Sequence, residues 1–187
     1  MSREKILRVE DLAVSFRTQQ GILKAVRGVS FDLFKGETLA IVGESGSGKS
    51  VTSRAIMGIL AGNSIHAGGS IYYYNSGLTN VDQSENPEMV GEDVIDLMQI
   101  AEEDFHKLRG TKIAMIFQDP MSSLNPIMKV GKQISEALYL KLGLSKADAR
   151  ARALKMMEEV GIPDAEKRFY QYPFQFSGGM RQRIVIA

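Results

Sequence analysis

Between residues 6 and 34, apolar and polar side chains alternate in two runs, Ile6 to Phe16 and Val26 to Phe34, broken by a polar Thr18-Gln19-Gln20-Gly21 segment. A period of two puts one set of side chains on one face, so the pattern predicts two antiparallel strands joined by a turn. Lys35-Gly36-Glu37 punctuates the chain, and Thr38 to Val42 follows as a short apolar run bounded by glycines. That is the pattern of a strand covered on both faces in a parallel sheet. A glycine-rich loop and a helix-like segment, Lys49 to Leu60, come directly after it. Beyond Gly68-Gly69, Ser70 to Tyr74 is strand-like, and Lys112 to Phe117 is a second run of the buried type.

Past Asp119-Pro120 the period changes. Val130, Ile134, Ala137 and Leu138 keep helical spacing. Ser145 with Asp148 three residues on predicts a capped helix whose apolar positions are Ala147, Ala151, Leu154, Met157 and Val160, stopped by Gly161-Ile162-Pro163. Ser177-Gly178-Gly179 opens a last segment with Met180, Ile184 and Ala187 at helical spacing, so the chain ends inside an apolar helix without a cap. Pro120, Pro126 and Pro173 mark the joints between a sheet-based core and a helical insert. The predicted architecture is α/β with an inserted α-helical subdomain. Its parts are a core with an antiparallel β subdomain over 1–120, a helical subdomain over 121–175, and a last segment over 176–187.

Charge and composition narrow the picture. The 187 residues carry 23 Lys and Arg against 22 Asp and Glu, a formal net charge of +1. A near-neutral chain is not a whole-protein polyanion binder, so nucleic acid is not an expected partner. The charge is nevertheless uneven: Val81 to Asp104 holds nine acidic residues and no basic one, which reads as a partly flexible surface insertion. The absence of cysteine removes disulfide scaffolds, thiolate metal sites and cysteine nucleophiles. Apolar stretches such as Ile113 to Phe117 fall far short of the roughly 18–20 residues of a membrane helix, and no apolar run follows the N-terminal charges. Neither a membrane span nor a secretion signal is expected.

Candidate chemistry is concentrated at two places. Gly43-Glu44-Ser45-Gly46-Ser47-Gly48-Lys49-Ser50 fits the G-x-x-x-x-G-K-[ST] pattern and sits between a predicted strand and a helix. In that context successive backbone N–H groups converge on phosphate oxygens at a helix N-terminus. Glycines let the backbone close around the phosphates, Lys49 reaches the β and γ phosphates, and the Ser50 hydroxyl is a Mg²⁺ ligand. Ser45, Ser47 and Val51 complete the expected binding set with Gly43, Gly46 and Gly48, and the expected ligand is a nucleoside triphosphate with Mg²⁺. The plain alternative is a glycine-rich turn. Glu44 carries the ligand's own sign of charge and reads as exposed filler. The second place is Phe176-Ser177-Gly178-Gly179-Met180-Arg181-Gln182-Arg183, where a serine and two glycines at a helix start make another potential anion site.

A phosphate loop, then Ile116-Phe117-Gln118-Asp119-Pro120, then a helical insert, then Ser177-Gly178-Gly179 is an order that resembles the ATP-binding cassette (ABC) transporter ATPases over essentially the whole chain. The loop resembles their Walker A motif, Gln118 their Q-loop glutamine, and Phe176 to Met180 the signature usually written L-S-G-G-Q. Phe117 to Pro126 and Tyr172 to Arg183 look like the oligopeptide, dipeptide and nickel importer branch. The resemblance implies a P-loop NTPase fold and ATP hydrolysis coupled to peptide uptake. It implies a head-to-tail pair with a second ABC ATPase subunit, identical or not, in which Ser177, Gly178 and Gly179 face the nucleotide of the partner. It further implies permease subunits in the membrane, indirect coupling to an extracytoplasmic substrate-binding protein, and a peripheral place on the cytoplasmic face of the cell membrane. Lys49, Gln118 and Ser177 are then the catalytic candidates, Ser50 and Gln118 the metal candidates, and Phe16 falls where the family stacks an aromatic ring on adenine; an ordinary core phenylalanine is its alternative.

Phe176 and Met180 depart from the family-wide Leu and Gln, so a contact made by the Gln amide is lost while the backbone site stays. No strand ending in Asp-Glu and no histidine follow the signature, and His66 and His106 precede it, which makes them surface or turn residues. The chain therefore reads as an N-terminal fragment, C-terminally truncated and inactive by itself. Alternatives from other classes are a noncatalytic nucleotide-binding module, nickel in place of peptide import, and a DNA-maintenance ATPase. The last separates its two motifs by long coiled coils, whereas Lys49 and Ser177 lie 128 positions apart without heptads.

Overall fold

The computed structural model describes residues 4–74, 94–119 and 123–187, in two compact units, Met1–Ile113 and Ala114–Ala187. The first unit is built on an antiparallel sheet of order β2-β1-β3-β4, from β1 (Lys5–Thr18), β2 (Gly21–Phe34), β3 (Ser64–Tyr74) and β4 (Val94–Asp96). The expected hairpin is present, with Thr18 paired to Gly21 and Thr18 Oγ1 donating to Gly21 O at 2.7 Å. Along β1 the buried side chains are Leu7 and Val9, then Leu12 and Val14. The inward set changes parity because one extra residue is accommodated at Asp11, whose φ is 46°. Ser30 Oγ accepts the displaced Asp11 N–H at 2.8 Å. Opposite the bulge, a Cβ on Gly69 would run into the backbone of Glu10 and Asp11. The glycine pair expected as punctuation ahead of a strand therefore lies inside β3, which begins at Ser64.

Two helices cover this sheet, α1 (Lys49–Ile56) and α2 (Glu102–Leu108). Ala55, Phe105 and Leu108 join Val9, Leu12, Val14, Ile71 and Ile95 in one core. The acidic stretch corrects part of the sequence reading. Residues 81–93 lie outside the described residues, but its second half is integral: β4 joins the sheet, and Ile95, Asp96 and Leu97 are buried. Asp96 Oδ1 accepts from the N–H groups of Ile71 and Met98, both at 3.0 Å. A carboxylate that ends a ladder by receiving two orphan donors is a structural group, which a charge count alone does not reveal.

The two expected buried strands are also corrected. Residues 38–44 have no strand hydrogen bonding, and Leu39, Ile41 and Val42 are exposed. The Lys112 to Phe117 run contributes only an isolated bridge between Arg109 and Ile113, with Ile116 and Phe117 exposed. A strand exists only where a neighbour completes its ladder, and among the described residues no strand lies beside either run.

The second unit is helical, with α3 (Val130–Leu142), α4 (Lys146–Glu159), α5 (Ala165–Arg168), a 3₁₀ turn (Pro173–Gln175) and α6 (Gly178–Ile186). Ser145 caps α4 as expected: its Oγ accepts from Asp148 N at 3.1 Å and donates to Asp148 Oδ2 at 2.6 Å. The buried stripe of α4 is Ala149, Ala153 and Met157, while the predicted Ala147 and Ala151 are exposed. Alanine carries too little area to fix a helix's phase, so Met157 and the packing against α3 decide it. Val130, Ile134, Leu138, Ile162, Ala165, Phe169, Phe176 and Ile184 join Ala149, Ala153 and Met157 in this unit's core. Among the described residues no helix is long and apolar enough to cross a membrane.

Candidate functional site

Residues 43–48 run as an irregular loop into α1, whose N-cap, Gly48, makes no side-chain cap hydrogen bond, and the first turn of α1 holds no acidic residue. The first N–H groups of the helix are thus left for an outside acceptor, and the positive end of its dipole is not neutralised. Lys49 folds back over the loop, its Nζ donating to Gly43 O at 2.7 Å, Glu44 O at 2.6 Å and Ser47 Oγ at 3.2 Å. An ammonium held by three loop oxygens places a positive charge over the loop. Thr52 and Ser53 turn their hydroxyls back to the helix, onto Gly48 O and Lys49 O. Ser50 is exposed, and Val51 is half-buried against the core.

The loop leans on the hairpin. Gly48, at φ +91°, sits so close to β2 that a Cβ would lie 2.6 Å from Ala25 O and 3.3 Å from Val26 Cγ2. Val26 pairs with Val14, two residues before Phe16, so the hairpin brings Phe16 to ~7 Å along β1 from the rung that supports the loop. Phe16 is half-buried, packed partly on the core. Phe16 and the loop of Gly43, Ser45, Gly46, Ser47, Gly48, Lys49 and Ser50 are therefore all carried by the first unit.

The second unit carries the other candidates. Gln118 is exposed at its start. Ser177 is the N-cap of α6 and its Oγ accepts from Met180 N at 3.3 Å. Ser177, Gly178 and Gly179 are exposed, and a Cβ on either glycine would meet nothing within 4 Å. Among the described residues of this unit, packing thus does not demand glycine at either position. The two departures from the usual signature have a local reason: Phe176 is buried with the Arg168 guanidinium 5.7 Å from its ring centre, and Met180 packs on the same core. Both side chains serve the helical unit. His66 Nε2 lies 3.0 Å from Gly69 O at the β3 bulge, and His106 lies on the exposed face of α2 beside Glu102.

Sequence reasoning missed the supports of the loop. Ala25 and Val26 read as ordinary strand residues, and only the close approach of Gly48 gives them away. Arg109 was passed over because a lone arginine has no periodicity, yet it reaches the far end of α1.

The family model described as ABC transporter matches residues 26–187. The chain is 51% identical over 188 residues to a dipeptide transport ATP-binding protein of Lactococcus lactis, covering all of this chain and 48% of that protein. It is 51% identical to an oligopeptide transport ATP-binding protein of Bacillus subtilis, covering 98% of this chain and 46% of the relative. The chain spans about half the length of the curated relatives it matches. Among solved structures, a dimeric ATP-binding cassette in a post-hydrolysis state bound to ADP and Pi aligns at a TM-score of 0.75 and 22% identity, over 97% of this chain and 67% of that one. At that identity the likeness establishes the fold alone: the antiparallel sheet, phosphate-loop helix and helical unit are those of an ABC cassette.

Proposed function

The chain belongs to the ABC transporter family, and from that premise we propose that it is the nucleotide-binding part of an importer ATPase that drives peptide uptake. What carries this reading is the loop at the head of α1, where Lys49 Nζ is drawn within 2.6–3.2 Å of three loop oxygens beside a helix start that no side chain caps. In this reading, Gly43, Ser45, Gly46, Ser47 and Gly48 present backbone N–H groups to the phosphates of ATP. Lys49 turns from the loop oxygens to the β and γ phosphates, and Val51 holds the first turn against the core. Phe16 offers a half-exposed ring to the adenine.

The residues present fit Mg²⁺ in the mode expected of a phosphate-bound ion. In this reading the ion would rest on phosphate oxygens and the Ser50 hydroxyl at the head of α1. Bound there, it supplies charge neutralisation to the phosphate oxygens. Lys49 and the helix N-terminus add fixed positive potential. Catalysis of this kind is positioning and electrostatics. Ser177, Gly178 and Gly179 face the nucleotide of a second ATPase subunit, which the open space above both glycines leaves room for.

The relatives named for dipeptide and oligopeptide transport support the substrate class. The motor works with permease subunits and, through them, an extracytoplasmic substrate-binding protein, from the cytoplasmic face of the membrane. In the full-length protein, Lys49→Ala is expected to abolish ATP-driven peptide uptake. Ser177→Arg is expected to leave nucleotide binding to its own loop intact and to stop turnover. Uptake that survives Lys49→Ala would overturn the motor reading; uptake of nickel and not of peptides would overturn the substrate class.

A further inference from the structure

The helix opened by the phosphate loop is only two turns long, about 12 Å, and a helix of that length has little stability by itself. Thr52 and Ala55 on it are buried and Val51 and Ile56 pack partly on the core, and what grips its ends adds to this in setting its orientation. At the head, Gly48 rests on Ala25 and Val26. At the tail, Arg109 provides the grip: its Nε donates to Met57 O at 2.8 Å and its Nη2 to Gly58 O at 2.9 Å. The same guanidinium pairs with Glu102 through both terminal nitrogens, and its Cζ lies 4.6 Å from the ring centre of Phe105. Gly58 is packed so tightly beneath it that a Cβ would lie 2.6 Å from Phe105 Cζ and 2.8 Å from Arg109 Nη2. Phe105 and Leu108 root α2 in the core of the sheet.

We propose that Arg109 is a positioning residue for the phosphate loop: it ties the C-terminal end of α1 to α2, and so sets the direction in which the N-terminal end presents its N–H groups. The inference rests on the nucleotide-binding reading of that loop. Three physical features favour it. The guanidinium satisfies two carbonyls that follow the last helical turn. Its charge sits at the negative end of the α1 dipole. Its planar fork spans two carbonyls and a carboxylate at once while lying on an aromatic face, which the single ammonium of lysine cannot do. The hydrogen bonds of Arg109 go to Met57 O and Gly58 O, beyond the last turn of α1, so its grip on the loop runs through the helix.

The test uses the full-length protein at a temperature where each variant is folded by circular dichroism. MgATP affinity is measured by equilibrium titration for wild type, Arg109→Ala and Arg109→Lys, and amide hydrogen exchange is followed along α1 without nucleotide. The expected result is a loss of roughly tenfold in affinity for Arg109→Ala and a smaller loss for Arg109→Lys, the size of effect expected from charge-assisted hydrogen bonds at a helix end. Exchange is expected to quicken at Thr52, whose N–H is bonded to Gly48 O at the head of the helix, as well as at Gly58 and Ile59. If Arg109→Ala does not fold, Arg109→Lys carries the same comparison. Wild-type affinity in a folded Arg109 variant, or faster exchange confined to Gly58 and Ile59, overturns the proposal. A wild-type protein that binds no MgATP would instead overturn the nucleotide reading, and the exchange at Thr52 would then decide alone whether Arg109 holds the head of the helix.

Discussion

Adding one methyl group at Gly48 should damage the phosphate loop far more than adding one at Gly46, although both glycines have positive φ. Gly46, at φ +84°, has nothing within 4 Å of a new Cβ, so Gly46→Ala meets only the conformational penalty. That penalty is about 1–2 kcal/mol for an L residue in the left-handed region. Gly48→Ala, at φ +91°, meets the same penalty and also a Cβ 2.6 Å from Ala25 O, a backbone atom of a paired strand. Relieving such an overlap means moving the loop or β2 by several tenths of an ångström, typically another ~1–3 kcal/mol. A total of about 2–5 kcal/mol corresponds to a fall in phosphate affinity of roughly 30-fold to several thousand-fold, if all of it bears on the loop's binding geometry. Equilibrium titration with MgATP, with thermal unfolding recorded alongside, separates lost affinity from lost fold. Equal affinities for the two variants would refute the claim that β2 forms the wall of the loop.

Two further outcomes follow from the same geometry. Asp96→Ala removes the acceptor of the Ile71 and Met98 N–H groups in a buried setting, and should cost about 2–4 kcal/mol of stability, read as a melting temperature lower by ~5–15 °C, with Asp96→Asn milder because it keeps an oxygen. The hydrogen bond from Arg109, with the guanidinium's charge and that of His106 adding to it, holds the Glu102 carboxyl below the usual carboxylate range against a smaller opposing desolvation. Its stabilising pairing is therefore complete above the ordinary carboxylate pKa and is lost as pH falls through the lowered value. The melting-temperature gap between wild type and Glu102→Gln should accordingly be open at neutral pH and close in acid, and a gap independent of pH would contradict the pairing.

What was legible in the sequence was local chemistry and periodicity. The hairpin, the Ser145 cap and the helix start at Lys49 each depend on neighbours in sequence, and each is present, although β2 begins at Gly21 and not Val26 and no strand leads into the loop. The resemblance carried by the motifs near Lys49, Gln118 and Ser177 agrees with the family match. Periodicity failed where a partner distant in sequence decides the outcome. The Thr38 to Val42 run has the composition of a buried strand, but a ladder is a property of two segments. The acidic stretch looked like solvated surface because charge counting cannot see that Asp96 receives two backbone donors. Alanine made the phase of α4 ambiguous, and the longer Met157 side chain settled it. Arg109 illustrates the same limit, since its carbonyl partners lie 51 and 52 residues away.

The most direct test of the central claim is an equilibrium titration of the protein with MgATP, paired with the same titration of Lys49→Ala. The account predicts saturable binding by the wild type and affinity lower by at least ~tenfold in the variant, because it assigns the Lys49 ammonium, now held by Gly43 O, Glu44 O and Ser47 Oγ, to the phosphates. Binding of equal strength in both, or none in the wild type, would contradict it.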